Sequence, residues 1–147
     1  MKIAIASDHA GYDLKTLVIE HLKGRGITDV TDLGADSNKT SVDYPDYAKK
    51  VARVVLSDED CLGILICGTG IGMSITANKV KGIRAAHASD PYSSKMAKRH
   101  NDANILCMGS RVVGPGLAFE IVDAWIDAEY EEGRHQKRVE KIEDLEN

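Results

Sequence analysis

The chain alternates between short apolar runs and stretches in which apolar residues recur at helical spacing. Lys2 to Ser7 predicts a first strand. Leu14, Leu17, Val18, His21 and Leu22 then follow the i, i+3, i+4 pattern of an amphipathic helix, closed by Gly24 and Gly26. Ile27 to Leu33 predicts a second, more polar strand. Tyr44 to Leu56 sets Ala48, Val51, Ala52 and Val55 on one helical face, with Pro45 in a first turn that needs no N–H from it. Leu62 to Cys67 is the most apolar strand and belongs in the sheet centre. Gly72 to Val80 reads as helix, Ile83 to Ala88 as strand, Pro91 to Arg99 as helix and Ile105 to Met108 as a fifth strand. Leu117, Ile121, Val122 and Trp125 mark a long helix ending near Gly133. The charged tail from Arg134 to Asn147 keeps Val139, Ile142 and Leu145 at helical spacing.

Alternating strands and helices imply a parallel sheet covered on both faces. The expectation is a three-layer α/β/α Rossmann-like (flavodoxin-like) domain with a five-stranded parallel sheet and a C-terminal helical tail, one domain over residues 1–147. At 16.0 kDa the chain can bury a genuine core. Its net charge of -4 argues against nucleic-acid binding, which wants a basic face, and leaves room for a small anionic substrate. No apolar run reaches membrane-span length, and the N-terminus reads as a strand rather than a signal peptide. Cys61, Cys67 and Cys107 are odd in number and lack CxxC spacing, which points away from a disulfide framework and toward a reducing cytoplasm.

In such sheets ligands bind beyond the carboxyl ends of the strands. After strand one stands Ser7-Asp8-His9-Ala10-Gly11, where an acid beside a histidine suits sugar hydroxyls, a phosphate or a metal, and where Asp8 equally serves as a helix cap. No further His/Asp/Glu cluster has ligand spacing, so no metal is expected. After strand three comes Ile66-Cys67-Gly68-Thr69-Gly70-Ile71-Gly72-Met73-Ser74. It is not a dinucleotide fingerprint, because Met73 and Ile75 stand where the third glycine would fall, and it lacks the GKS or GKT of a P-loop. What remains is a nest of backbone N–H groups that favours negative charge and would raise the thiolate fraction of Cys67. A free cysteine at a strand end also serves as a small buried hydrophobe.

After strand five, Gly109-Ser110-Arg111 brings a basic residue to the ligand edge. His100, just before strand five, fits a helix end, where positive charge is favourable. Arg134 and Arg138 would share a helix face and could grip one phosphate, or could pair with Glu131, Glu132 or Glu140 on a solvated helix. His21 and His87 receive no role.

Six stretches, in order and spanning nearly the whole chain, resemble the type B ribose-5-phosphate isomerases, a family that includes allose- and galactose-6-phosphate isomerases. They are Ser7-Asp8-His9-Ala10-Gly11, Ser41-Val42-Asp43-Tyr44-Pro45-Asp46, Cys67-Gly68-Thr69-Gly70-Ile71-Gly72, Gly82-Ile83-Arg84-Ala85, His100-Asn101-Asp102-Ala103-Asn104 and Gly133-Arg134-His135. The resemblance implies a metal-independent, cofactor-free aldose–ketose isomerase acting on a phosphorylated pentose through a cis-enediolate. By the family's pattern Cys67 is the base, and the amides of Gly68, Gly70, Ile71 and Gly72 stabilise the oxyanion. Members that use a glutamate carry it further into this loop, where Met73 stands here. The pattern gives ring opening to Thr69 and His100, sugar hydroxyls to Asp8, Tyr44 and Asn101, and the phosphate to His9, Arg111, Arg134 and Arg138. It also implies a homodimer, or a dimer of dimers, with sites shared between chains. Two rivals stand beside it: the same chemistry on allose or galactose 6-phosphate, and a non-catalytic nucleotide-binding domain on the same scaffold.

Overall fold

Along the central strand, side chains alternate between two apolar layers, and this alternation organises the molecule. The computed structural model describes residues 1–147. Its strands are β1 (Lys2–Ser7), β2 (Val30–Asp32), β3 (Cys61–Cys67), β4 (Ala85–His87) and β5 (Ile105–Gly109). They form one parallel sheet in the order β2-β1-β3-β5-β4, which exchanges the last two strands of the flavodoxin order. The helices are α1 (Tyr12–Gly24), α2 (Tyr44–Ser57), α3 (Ile71–Ala77), α4 (Pro91–Asn101), α5 (Pro115–Ile126) and α6 (Arg134–Glu143), followed by a single 3-10 turn.

One face of the sheet presents Ile3, Ile5, Ile64, Ile66, Leu106 and Met108, packed with Leu14, Val18 and Leu22 of α1 and with Ile121 and Trp125 of α5. The other presents Ala4, Ala6, Leu65, Cys67, Ile105 and Cys107 beneath Val51 and Val55 of α2 and Met73 of α3. The three-layer architecture follows from this period-two division, because the interiors of β1, β3 and β5 are buried on both sides.

Four elements are shorter than the periodicity predicts: β4 spans Ala85–His87 rather than Ile83 to Ala88, α3 ends at Ala77 rather than Val80, and β2 and α5 are trimmed as well. The second strand is three residues long, since Thr31 and Asp32 are exposed and Val30 only half-buried at the sheet edge. Helix α5 stops at Ile126 rather than near Gly133, because Glu129 and Tyr130 occupy the next inward-facing positions. Its end is tied instead to α1: Arg25 bridges Asp123 and Asp127 at 3.0 and 2.8 Å, and His21 Nε2 lies 2.8 Å from Asp123.

One charge is fully buried. The Lys15 ammonium donates to Asp32 Oδ1 and to the Ala35 carbonyl, both at 2.7 Å. It thereby holds the loop that leaves β2 against the first turn of α1.

The tail folds back as α6, burying Val139 and His135. The His135 ring stacks on His100 at 4.2 Å between centroids, and its Nε2 stands 3.3 Å from Glu131, which also pairs with Arg99. Burial, with the neighbouring positive charges of His100, Arg134 and Arg138 and against the pull of Glu131, holds the His135 imidazole below its ordinary value. Burial works to raise the Glu131 carboxyl, but Arg99, His100 and His135 together hold it below the usual range. A histidine with a lowered folded value is protonated first in the unfolded chain. Its contribution is therefore present above the ordinary value of 6.5 and lost as the pH falls below it. Glu131 acts with the same sign, lower on the scale. The melting temperature is expected to fall on acidification below about pH 6.5, and His135→Gln should flatten that slope in thermal melts across this window. Equal slopes in the two proteins would remove His135 as the cause.

Candidate active site

The chain leaves β1 outward to β2 and returns across it to β3, so the switch point of the sheet lies between the carboxyl ends of β1 and β3. Cys67 ends β3 there, opposite Gly109 of β5. The thiol is buried, and the Gly70 backbone N–H points at its sulfur, 3.1 Å away. The turn between them closes with the Ile71 N–H on Thr69 Oγ1 at 3.2 Å. Gly70 is left-handed, with φ of 81°, and a Cβ there would stand 2.7 Å from the Met108 carbonyl carbon. Only glycine lets this loop lie directly on the β5 backbone.

The β1 and β5 turns wall the thiol. Ser110 Oγ donates to the Ala10 carbonyl at 2.8 Å and lies 3.3 Å from that of Cys67, joining all three strand ends. The Arg111 N–H bonds Gly68 O at 3.0 Å, and its guanidinium lies over Gly68, 3.2 Å from where a Cβ would stand. The Tyr44 ring covers Gly72, leaving no room for a side chain there. Asp8 is buried and accepts the Gly11 N–H at 3.0 Å through Oδ1, closing the turn that precedes α1, whose N-cap is Gly11 rather than Asp8. His9 Nδ1 accepts the Val42 N–H at 3.2 Å, which places the ring proton on Nε2 and draws the loop before Tyr44 toward the site.

The other two thiols are set differently. Burial pushes the Cys107 thiol far up, with Cys67 adding to the effect, and burial also raises that of Cys61.

The structure thus brings together Cys67, Thr69, the glycine loop, Asp8, His9, Tyr44 and Arg111. It does not bring His100, Asn101, Arg134 or Arg138 to them within the chain. His100 and Asn101 end α4 ahead of β5, at the amino edge of the sheet, where Arg84 Nε bonds the Asn101 carbonyl at 3.0 Å. Arg134 and Arg138 lie beside them on α6, lining with Gly133, Lys137 and Lys141 an open groove that no carboxylate enters. The ligand atoms of His100, Glu131 and His135 fall within 4.8 Å of one another, a span that could suit a metal. Yet Arg99 already holds the Glu131 carboxylate, and the two imidazoles stack face to face.

Sequence reasoning missed two residues of the site. Ser110 staples the strand ends, and His87 reaches the Thr69 carbonyl at 2.8 Å. Position alone could have flagged His87, since it ends a strand on the ligand edge. A sizeable cavity lies elsewhere, between the β4 edge and the tail, lined by Ile83, Ala85, Ala103, Ile142 and Leu145 among others. It is mainly apolar and holds no nucleophile or amide nest, so the chemistry is better placed at Cys67.

Comparison with known proteins accords with this geometry. The Escherichia coli (strain K12) protein named ribose-5-phosphate isomerase B is 53% identical over 99% of this chain and 96% of its own length. The solved structure of Clostridium thermocellum ribose-5-phosphate isomerase B superposes with a TM-score of 0.95 at 54% identity, covering 99% of this chain and 97% of that one. The Mycoplasma genitalium ribose-5-phosphate isomerase B structure, solved with bound ribulose-5-phosphate, gives a TM-score of 0.94 at 45% identity, with 99% and 95% covered. The model of the family described as Ribose/Galactose Isomerase matches residues 3–142. The chain belongs to the ribose/galactose isomerase family.

Proposed function

We propose that this chain interconverts D-ribose 5-phosphate and D-ribulose 5-phosphate, with Cys67 as the proton-transfer base. The observation that carries the reading is the Cys67 sulfur facing the Gly70 N–H in an amide nest at the switch point of the sheet. The ribulose-5-phosphate bound to the Mycoplasma genitalium relative supports the substrate.

In the open-chain aldose, the Cys67 thiolate takes the proton from C2. The electron pair left behind forms the C1–C2 double bond, and the C1 carbonyl oxygen becomes the enediolate oxyanion. Loop amides face that charge, which exists only during the reaction. Return of the proton from the Cys67 thiol to C1, with passage of the O2 proton to O1 as the C2 carbonyl forms, completes the ketose. Asp8 and Tyr44 hold sugar hydroxyls, while His9 and Arg111 receive the phosphate end. The missing half is supplied by a second copy: its His100 opens the sugar ring with Thr69, its Asn101 binds hydroxyls, and its Arg134 and Arg138 complete the phosphate grip. Held phosphate positions the reacting carbons.

Cys67→Ala should lower kcat by about 10²–10⁴-fold while the sugar phosphate still binds, as read by steady-state rates and calorimetric titration. Wild-type turnover by that variant would end the assignment. Sharing of the site between copies has its own test. When inactive Cys67→Ala and His100→Ala proteins are denatured, mixed and refolded together, about a quarter of the sites regain both groups. Activity near that fraction supports the shared site, whereas none means that each chain works alone.

A six-carbon reading deserves one comparison, because the family description names galactose beside ribose. One additional hydroxymethylene lengthens the span from reacting carbon to phosphate. We expect kcat/KM for ribose 5-phosphate to exceed that for allose 6-phosphate by at least about 10-fold. The opposite order in side-by-side assays would reassign the substrate.

A further inference from the structure

The imidazole at the end of β4 touches the catalytic loop from outside. His87 is exposed, yet its Nε2 lies 2.8 Å from the Thr69 carbonyl oxygen. Its Cδ2 is 2.9 Å from where a Cβ would stand on Gly70. A carbonyl can only accept, so Nε2 carries the hydrogen. That carbonyl belongs to the same peptide unit as the Gly70 N–H, which donates to Cys67 Sγ at 3.1 Å. The unit is trans, so its C=O and N–H point in opposite directions within one plane. His87 and Cys67 therefore hold the two ends of a single rigid group.

We infer that His87 is a positioning residue for the isomerisation: through the Thr69–Gly70 peptide it aims the Gly70 N–H at the Cys67 sulfur and strengthens that donor toward the thiolate. The inference rests on Cys67 being the base. Two physical effects carry it. The first is orientation. No side chain on Gly70 restrains the plane, and the β5 backbone at Met108 and Gly109 lies against it. The imidazole adds a hydrogen-bonded restraint at its carbonyl. The second is polarisation. A donor on the carbonyl draws electron density toward the oxygen and leaves the N–H more positive, strengthening bonds in series by roughly 10–30% each.

The ionisable neighbours leave this role to His87. Helix α3 carries none, and β5 presents Cys107 beside His87, a thiol that burial keeps protonated. Arg111 stands over Gly68 and Tyr44 over Gly72, while Asp8 is committed to Gly11. None of them is bonded to the Thr69 carbonyl.

The test follows alkylation of Cys67 by iodoacetamide across about pH 6 to 10, read by mass on the Cys67 peptide, in wild type, His87→Ala and His87→Gln. The alanine variant should move the midpoint of thiolate formation upward by about 0.5–1 pH unit. It should also lower kcat for ribose 5-phosphate at neutral pH by about 3- to 10-fold with KM unchanged. Glutamine, whose amide N–H can reach the same carbonyl, should restore both. Coinciding midpoints for wild type and His87→Ala would overturn the inference, as would a glutamine variant displaced as far as the alanine one. Alkylation needs no sugar, so the two readings fail separately. Separated midpoints in a wild-type protein that does not turn over ribose 5-phosphate would leave the contact standing and overturn the substrate. Turnover with coinciding midpoints would do the reverse.

Discussion

At the carboxyl edge of the sheet, the turns after β1, β3 and β5 lie backbone against backbone with no side chain between them. A Cβ on Gly11 would stand 2.4 Å from the Ile66 carbonyl oxygen, and one on Gly109 2.5 Å from the Thr69 carbonyl carbon. These contacts set the depth at which the Cys67 sulfur sits. They also bring Ser110 within reach of both Ala10 and Cys67. Everything else in the site, from the Arg111 guanidinium over Gly68 to the Tyr44 ring over Gly72, is arranged around a surface that backbone alone defines.

The wall opposite that surface is held from below. Lys15, buried in α1, grips the Ala35 carbonyl and Asp32, and Asp32 accepts the Gly34 N–H at 3.0 Å. Two backbone bonds of 2.8 Å join Ser7 to Gly34 and Ala35. The same loop then bonds His9 through Val42 and delivers Tyr44 at the start of α2. A buried ammonium with strong acceptors is costly to leave unpaired. The loop therefore has one place to rest, and a residue with no part in the chemistry fixes where an aromatic wall stands.

Much of this was legible in the chain itself, for physical reasons that can be named. Strands β1, β3 and β5 are buried on both faces and read as apolar runs, and α1, α2 and α5 carry their own apolar stripes. The rule that ligands gather at carboxyl strand ends then led directly to Cys67. The edges were harder. β2 and the end of α5 owe their limits to exposure, which periodicity reports weakly. His87 stands at a strand end that position could flag, but its partner was hidden for another reason. Its reach to Thr69 depends on β4 lying beyond β5, an ordering that no local pattern encodes. Likewise the six family stretches named Cys67 and His100 together but could not say that one chain carries them at opposite ends of its sheet.

The Cys67 sulfur is also a core atom. Cys67 packs in the layer formed with Ala48, Val51 and Met73, while Trp125, Leu22 and Ile121 fill the layer on the other face. Interiors are close-packed and transmit small displacements, so repacking beneath α2 and α3 shifts the Cys67 thiol itself. Repacking beneath α1 and α5 is separated from it by the sheet. The two layers therefore differ in evolutionary latitude. One drifts under stability alone, and the other answers to turnover as well.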